Sequence, residues 1–172
     1  GESATTKTFM TAANWGGTAP TDDDTLIINS TSDTIGGAAT GLTGITFRVG
    51  SGFTGTIGSS TTYLDLDGPL CEFASGGTAA YLTGTWTNFR ITGGSASPLF
   101  LNLKGNASTA ITTLLASQLS GTVTVGSSAA VTTVQMNGLS VGKIDLASSI
   151  TGLANLTVTE GTIACASTIS GT

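Results

Sequence analysis

Two aspartates two positions apart are the clearest chemical signal in this chain. Residues 63–68 read Tyr-Leu-Asp-Leu-Asp-Gly. If Leu64 and Leu66 point inward from a strand, Asp65 and Asp67 share its outer face, ~6.6 Å apart. That is close to the spacing of an inverting glycosidase pair, in which one carboxyl protonates the leaving group and the other activates water. The competing reading is structural, and the sequence favours it. The matching phrase Phe-Leu-Asn-Leu-Lys-Gly at 100–105 would set Asn102 beside Asp65 and Lys104 beside Asp67. An Asp–Lys contact between stacked strands is an ordinary surface pair of small energetic value.

Other charged residues invite similar scrutiny. Asp22-Asp23-Asp24 suggests calcium, which takes six to eight oxygen ligands. The run lacks the alternating spacing of a calcium loop and leads from Pro20 into an apolar segment, so a solvated turn is the expectation. Arg48 and Arg90 sit in matching phrases, flanked by Phe47 and Val49 and by Phe89 and Ile91. They should stack outward on one face, one coil apart, and like charges so placed need an acidic counterpart from this chain or from an anionic partner. Tyr81 and Trp86 could stack a sugar, although a core or lid role is the favoured reading for both.

Much chemistry is excluded by composition. The chain has no histidine, which removes Ser-His-Asp and Cys-His nucleophile systems and histidine zinc sites. Neither a phosphate-binding P-loop nor a dinucleotide fingerprint is present, and no cofactor or metal is expected. Five scattered cations against ten acids give a net charge of −5, which argues against nucleic acid as a partner. No apolar run approaches the ~20 residues needed to span a bilayer, so no membrane partner is expected. Two cysteines, Cys71 and Cys165, do not make a disulfide framework, and Cys165 falls on an apolar strand position, where a buried free thiol is expected.

What positions these residues is a repeat. Thr, Ser and Gly supply 78 of the 172 residues, and only 9% are charged. Thr with Val and Ile favours strands, and Gly with Ser favours turns. An apolar-x-apolar strand recurs at Leu26/Ile28, Leu64/Leu66, Leu101/Leu103, Val123/Val125, Ile144/Leu146 and Ile163/Cys165. A second strand opens at Leu42, Leu82, Ile111, Val131, Ile150 and Ile169, alternating with the first. In the last coils Val134 matches Leu153, and Val141 matches Val158. Equivalent positions stay apolar while spacers vary, which is the mark of a solenoid whose repeats bury their faces on their neighbours. The expected fold is all-β: a single-stranded parallel β-helix. Spacings of six between Ile144, Ile150 and Leu156 also fit a left-handed hexapeptide helix, but the irregular steps elsewhere favour the right hand.

The first strand steps by 38, 37, 22, 21 and 19 residues. Those steps suggest wide N-terminal coils tapering to coils of about 19–22 residues. All ten aromatic residues and eleven of the fifteen charges lie within the first hundred positions. Three segments are therefore expected: a lid or arm over 1–25 with Trp15 covering the first coil, wide coils over 26–100, and thin coils over 101–172. The nearly uncharged outer positions after Phe100 suggest faces that pack on copies of the same chain around a threefold axis. Ile169-Ser-Gly-Thr reads as the opening of a further strand, so more chain, an oligomer or a partner is expected over the last coil.

The opening NWGGTAPTDDDTLIIN (14–29), followed by nearly uncharged Thr/Ser/Gly-rich coils, resembles the β-helical structural proteins of tailed bacteriophage virions. These include trimeric capsid decoration (cement) proteins and the shafts of tailspikes and fibres; bacterial autotransporter-type adhesins open in a similar way. The resemblance implies a homotrimer on the capsid exterior, bound to the major capsid protein or another virion protein, and it brings no catalytic residue. Contacts with such a partner would involve Trp15, Asp22, Asp23, Asp24, Arg48 and Arg90. The alternatives are a virion tail or adhesin segment that binds a host surface, and a polysaccharide-degrading β-helix enzyme using Asp65 and Asp67.

Overall fold

A computed structural model describes residues 6–29, 32–74, 79–93, 99–105, 108–138, 140–147 and 150–166. The chain is a parallel β-solenoid of about six turns. One wall is built from Thr6–Thr8, Thr34–Gly36, Thr56–Ile57, Ala79–Thr83, Leu99–Leu103, Gly121–Val125, Lys143–Leu146 and Thr162–Cys165, with Leu64–Asp65 also pairing to Ala79–Thr83. The other is built from Thr25–Ile28, Thr46–Val49, Gly68–Phe73, Thr85–Ile91, Ala110–Ala116, Ala130–Met136 and Asn155–Val158. Among the described residues, the strands of both walls pair in parallel.

Strand periodicity converts register into columns. In the second wall Leu26, Phe47, Cys71, Phe89, Leu114, Val134 and Leu156 stack as one inward column. Ile28, Val49, Phe73, Ile91, Ala116, Met136 and Val158 form the other. Bulk alternates between them. Cys71, the small member between Phe47 and Phe89, shares its rung with Phe73, the large member between Val49 and Ile91. Side by side, the columns trade bulk rung by rung, as close-packed interiors require. The first wall is buried through Ile35, Ile57, Ala80, Leu101, Val123 and Ile144.

The register corrects the taper. Successive partners in the second wall are 21, 24, 18, 25, 20 and 22 residues apart. In the first wall the steps along Lys7, Ile35, Ile57, Ala80, Leu101, Val123, Ile144 and Ile163 are 28, 22, 23, 21, 22, 21 and 19. The coils over 26–100 are therefore no wider than those over 101–172. The long sequence steps leapt over coils: the first passes the rungs of Ile35 and Ile57, each followed by a glycine instead of a second apolar residue, and the second passes the Ala80/Leu82 rung, whose Leu82 reads in sequence as the start of the other strand. Leu26/Ile28 consequently belongs to the second wall, and Leu82 to the first, beside Leu103. Ile111 and Val131 pair as expected. In the final rung the match shifts: Val134 meets Leu156 and Met136 meets Val158, whereas Val141 is exposed. Ile169 lies outside the described residues.

Corners between walls are set by glycines that lie against the preceding coil. A Cβ on Gly68 would sit 1.9 Å from the Ile45 carbonyl oxygen. Gly84 has φ +122°, and a Cβ there would sit 2.0 Å from the Leu66 oxygen. Both close approach and a left-handed backbone thus require glycine at position 84. At the start of the chain, Thr6–Thr8 is already a rung of the first wall. The 3-10 turn Ala12–Trp15 carries Trp15 against Phe9 at 5.2 Å, edge to face, with the indole N–H donating to the Phe9 carbonyl. Phe9 in turn meets Phe47 at 6.4 Å, which ties this segment to the core.

Candidate functional site

Asp65 and Asp67 come from the Leu64–Asp65 rung and the loop that turns into Gly68–Phe73. Leu64 and Leu66 are buried, so both aspartates face outward, as the alternation requires. Their neighbours differ from the sequence expectation. Asp65 pairs with Thr83, and Asn102 pairs with Tyr81, because a coil intervenes. Lys104 lies one step past the Leu103–Leu82 pair, with its N–H donating to the Leu82 carbonyl. Its ammonium sits 5.6 Å from the centre of the Tyr63 ring, and Tyr63 packs edge-on against Tyr81 at 5.7 Å.

The two carboxyls are engaged differently. Asp67 accepts the Thr85 N–H through Oδ1, while its backbone bonds Leu42 and Ile45. It therefore staples two coils at the Gly84 corner. Asp65 is held by its backbone, which receives the Thr40 hydroxyl and donates to the Ala38 carbonyl. Partial burial, then the neighbouring Asp67 charge, raise the Asp65 pKa above the ordinary 3.8, with Lys104 opposing them. A displaced pKa suits a general acid, while Asp67 ties its Oδ1 to a backbone N–H of the next coil.

The arginines form a different arrangement from the one expected. Arg48 pairs with Glu72, and Glu72 with Arg90, in one outward column. The arginines are two coils apart, with the acid between them. Glu72 lies 3.7 Å from the Arg48 Nε and also receives the Thr92 hydroxyl at 3.4 Å. Sequence reading missed Glu72, although Cys-Glu-Phe at 71–73 has the same apolar-charged-apolar form as Phe-Arg-Val at 47–49. The counter-charge demanded by two stacked arginines is thus supplied within the chain.

The Asp22–Asp24 run is a turn. Asp24 accepts the Thr21 N–H and hydroxyl, and Asp22 accepts the Thr43 N–H at 2.8 Å. Asp23 adopts φ +63° and donates its N–H to the Thr43 carbonyl. Two of these carboxylates are thus spent on backbone donors. No group of three potential metal-ligating side chains occurs among the described residues, and no helix among them is long and apolar enough to cross a membrane. Trp86 is fully buried, so it is a core residue. Its indole N–H has no partner among the described residues.

The cysteines reverse the expectation for one of them. Cys71 is the buried thiol, and burial pushes its pKa well up. Cys165 is exposed. It does pair with Leu146 in an inward register, but it lies in the last described rung, where no further strand is described over it.

Two adjoining cavities lie at the first coils. One of about 390 Å3 is bounded by Trp15, Asn14, Ile27, Asn29 and the Lys7–Asp33 ion pair, whose charged atoms are 3.2 Å apart. The other, of about 230 Å3, is bounded by Ile27, Asn29, Arg48, Glu72 and Ala74. No protein-family model matches the chain, and neither does any curated protein or solved structure.

Proposed function

We propose that the chain is a non-enzymatic virion structural protein, a homotrimeric decoration (cement) protein that binds the outside of a tailed-phage capsid and stabilises the lattice of the major capsid protein. The observation that carries this reading is the outer surface of the second wall in its last three rungs. Its outward columns continue as Thr113, Thr133 and Asn155 and as Leu115, Gln135 and Thr157, without a charge. A solvated wall normally displays charges that keep sheet faces apart. Here three threonines with Asn155, Gln135 and Leu115 offer a neutral face on which three solenoids can pack around an axis. On the opposite wall of these rungs, Lys143 and Asp145 neutralise each other at 2.8 Å.

The commitments of Asp67, Asp22 and Asp24 to backbone N–H groups support the non-enzymatic side of this reading. Particles lacking the chain are expected to release their genome at lower temperature, or under milder osmotic shock, than complete particles. Equal survival of the two would remove the cementing role.

A further inference from the structure

The two cavities at the first coils share Ile27 and Asn29, so they form one continuous groove. Ile27, Arg48 and Glu72 are consecutive members of the outward column that forms its floor. Ile27 is 49% exposed there, a large apolar side chain on an outer strand face between Trp15 and Arg48. The Trp15 ring is half-buried and held in the wall by its N–H bond to the Phe9 carbonyl. This is the composition of a ligand site: apolar surface, one fixed aromatic ring, and a few convergent polar groups.

We infer that this groove binds a short stretch of a neutral glycan. Charge selects the class. The ionic groups in the groove are already paired, Lys7 with Asp33 and Arg48 with Glu72. An anionic ligand would compete with Asp33 or Glu72 for these cations, and a cationic one with Lys7 or Arg48 for these carboxylates. A polyhydroxylated ligand keeps both pairs. It uses what they leave over: guanidinium donors beyond the Nε that faces Glu72, and the Asn29 amide. Its apolar ring faces cover Ile27 and Trp15. Nucleic acid would supply rings for Trp15 but would also bring phosphates, and each cation of the groove already has a carboxylate beside it.

The test uses the whole chain and three soluble probes, cellohexaose, chitohexaose and laminarihexaose, followed by amide chemical shifts and tryptophan fluorescence. At least one probe is expected to bind with a sub-millimolar Kd, moving the signals of Trp15, Ile27 and Asn29. Ile27→Glu and Asn29→Ala alter exposed side chains, so both variants should fold, and each should weaken binding at least tenfold. Binding by none of the three at millimolar concentration would overturn the inference. So would binding unchanged in both variants, or tighter binding of hexagalacturonate, a single-stranded oligonucleotide or an apolar peptide.

Discussion

The first four rungs of the second wall and its last three have the same backbone and different fillings. In the early rungs Phe47, Phe73 and Phe89 run through the core at ring separations of 6.5 and 6.0 Å, with Trp86 meeting Phe89 at 6.3 Å. In the later rungs the same columns hold Leu114, Val134, Ala116 and Met136. Coil length does not follow this change in bulk. The cross-section is set by the hydrogen-bonded ladder and its glycine corners, and side chains fill it by trading volume between adjacent columns. Cys71 beside Phe73 and Ala116 between Ile91 and Met136 are two cases of that exchange.

The contrast can be broken most severely at an aromatic rung. Phe89→Ala is expected to cost about 3–5 kcal/mol, because the rings around it cannot collapse into the space. Val134→Ala, two rungs on in the same column, should cost about 2 kcal/mol, since fewer buried methyl groups are lost. Urea denaturation of both variants checks the ratio; equal losses would mean that the aromatic rungs hold no special share of the core.

Gly84→Ala should come next, at roughly 3 kcal/mol, since it adds a clash with the Leu66 carbonyl to left-handed backbone strain. Gly16 has a similar backbone, φ +77°, but open space around it. Gly16→Ala should therefore cost only about 1 kcal/mol. Thermal melting of this pair separates the corner's packing role from its conformational one.

A smaller effect is expected at Asp65. Its folded pKa lies above 3.8 because burial disfavours the anion. The folded state then binds the proton more tightly than the unfolded state, so stability falls as pH rises from 3.8 through the raised value. Asp65→Asn should raise the urea midpoint relative to the parent at neutral pH, and the difference should vanish at about pH 3. A difference that is flat across this range would remove the link between burial and ionisation.

The smallest effect is chemical. Under native conditions iodoacetamide should modify Cys165 and spare Cys71, leaving the fold intact; modification of both at similar rates would contradict the burial of Cys71.

The legibility of the fold varied along the chain for the same physical reason. Leu101/Leu103, Val123/Val125 and Ile144/Leu146 were readable because each rung buries two residues at strict period two. Ile35 and Ile57 were not, because each is followed by a glycine and by no second apolar residue at period two. Thr85–Ile91 buries Trp86, Phe89 and Ile91, spaced three and then two, which hides its match to Thr46–Val49. Those losses made two coils look like one, suggested the taper, and removed Glu72 from between the arginines. Outward placement of Asp65, Asp67, Arg48 and Arg90 was readable from alternation alone. Which residue each one faces required the register.

The neutral outer face of the last three rungs is tested most directly by the mass of the chain in solution, measured by light scattering coupled to size-exclusion chromatography. A species of three times the 16.9 kDa chain mass is expected, dissociating when Thr133→Lys and Gln135→Lys place charges on that face. A stable monomer at micromolar concentration, or a trimer indifferent to both lysines, would contradict it.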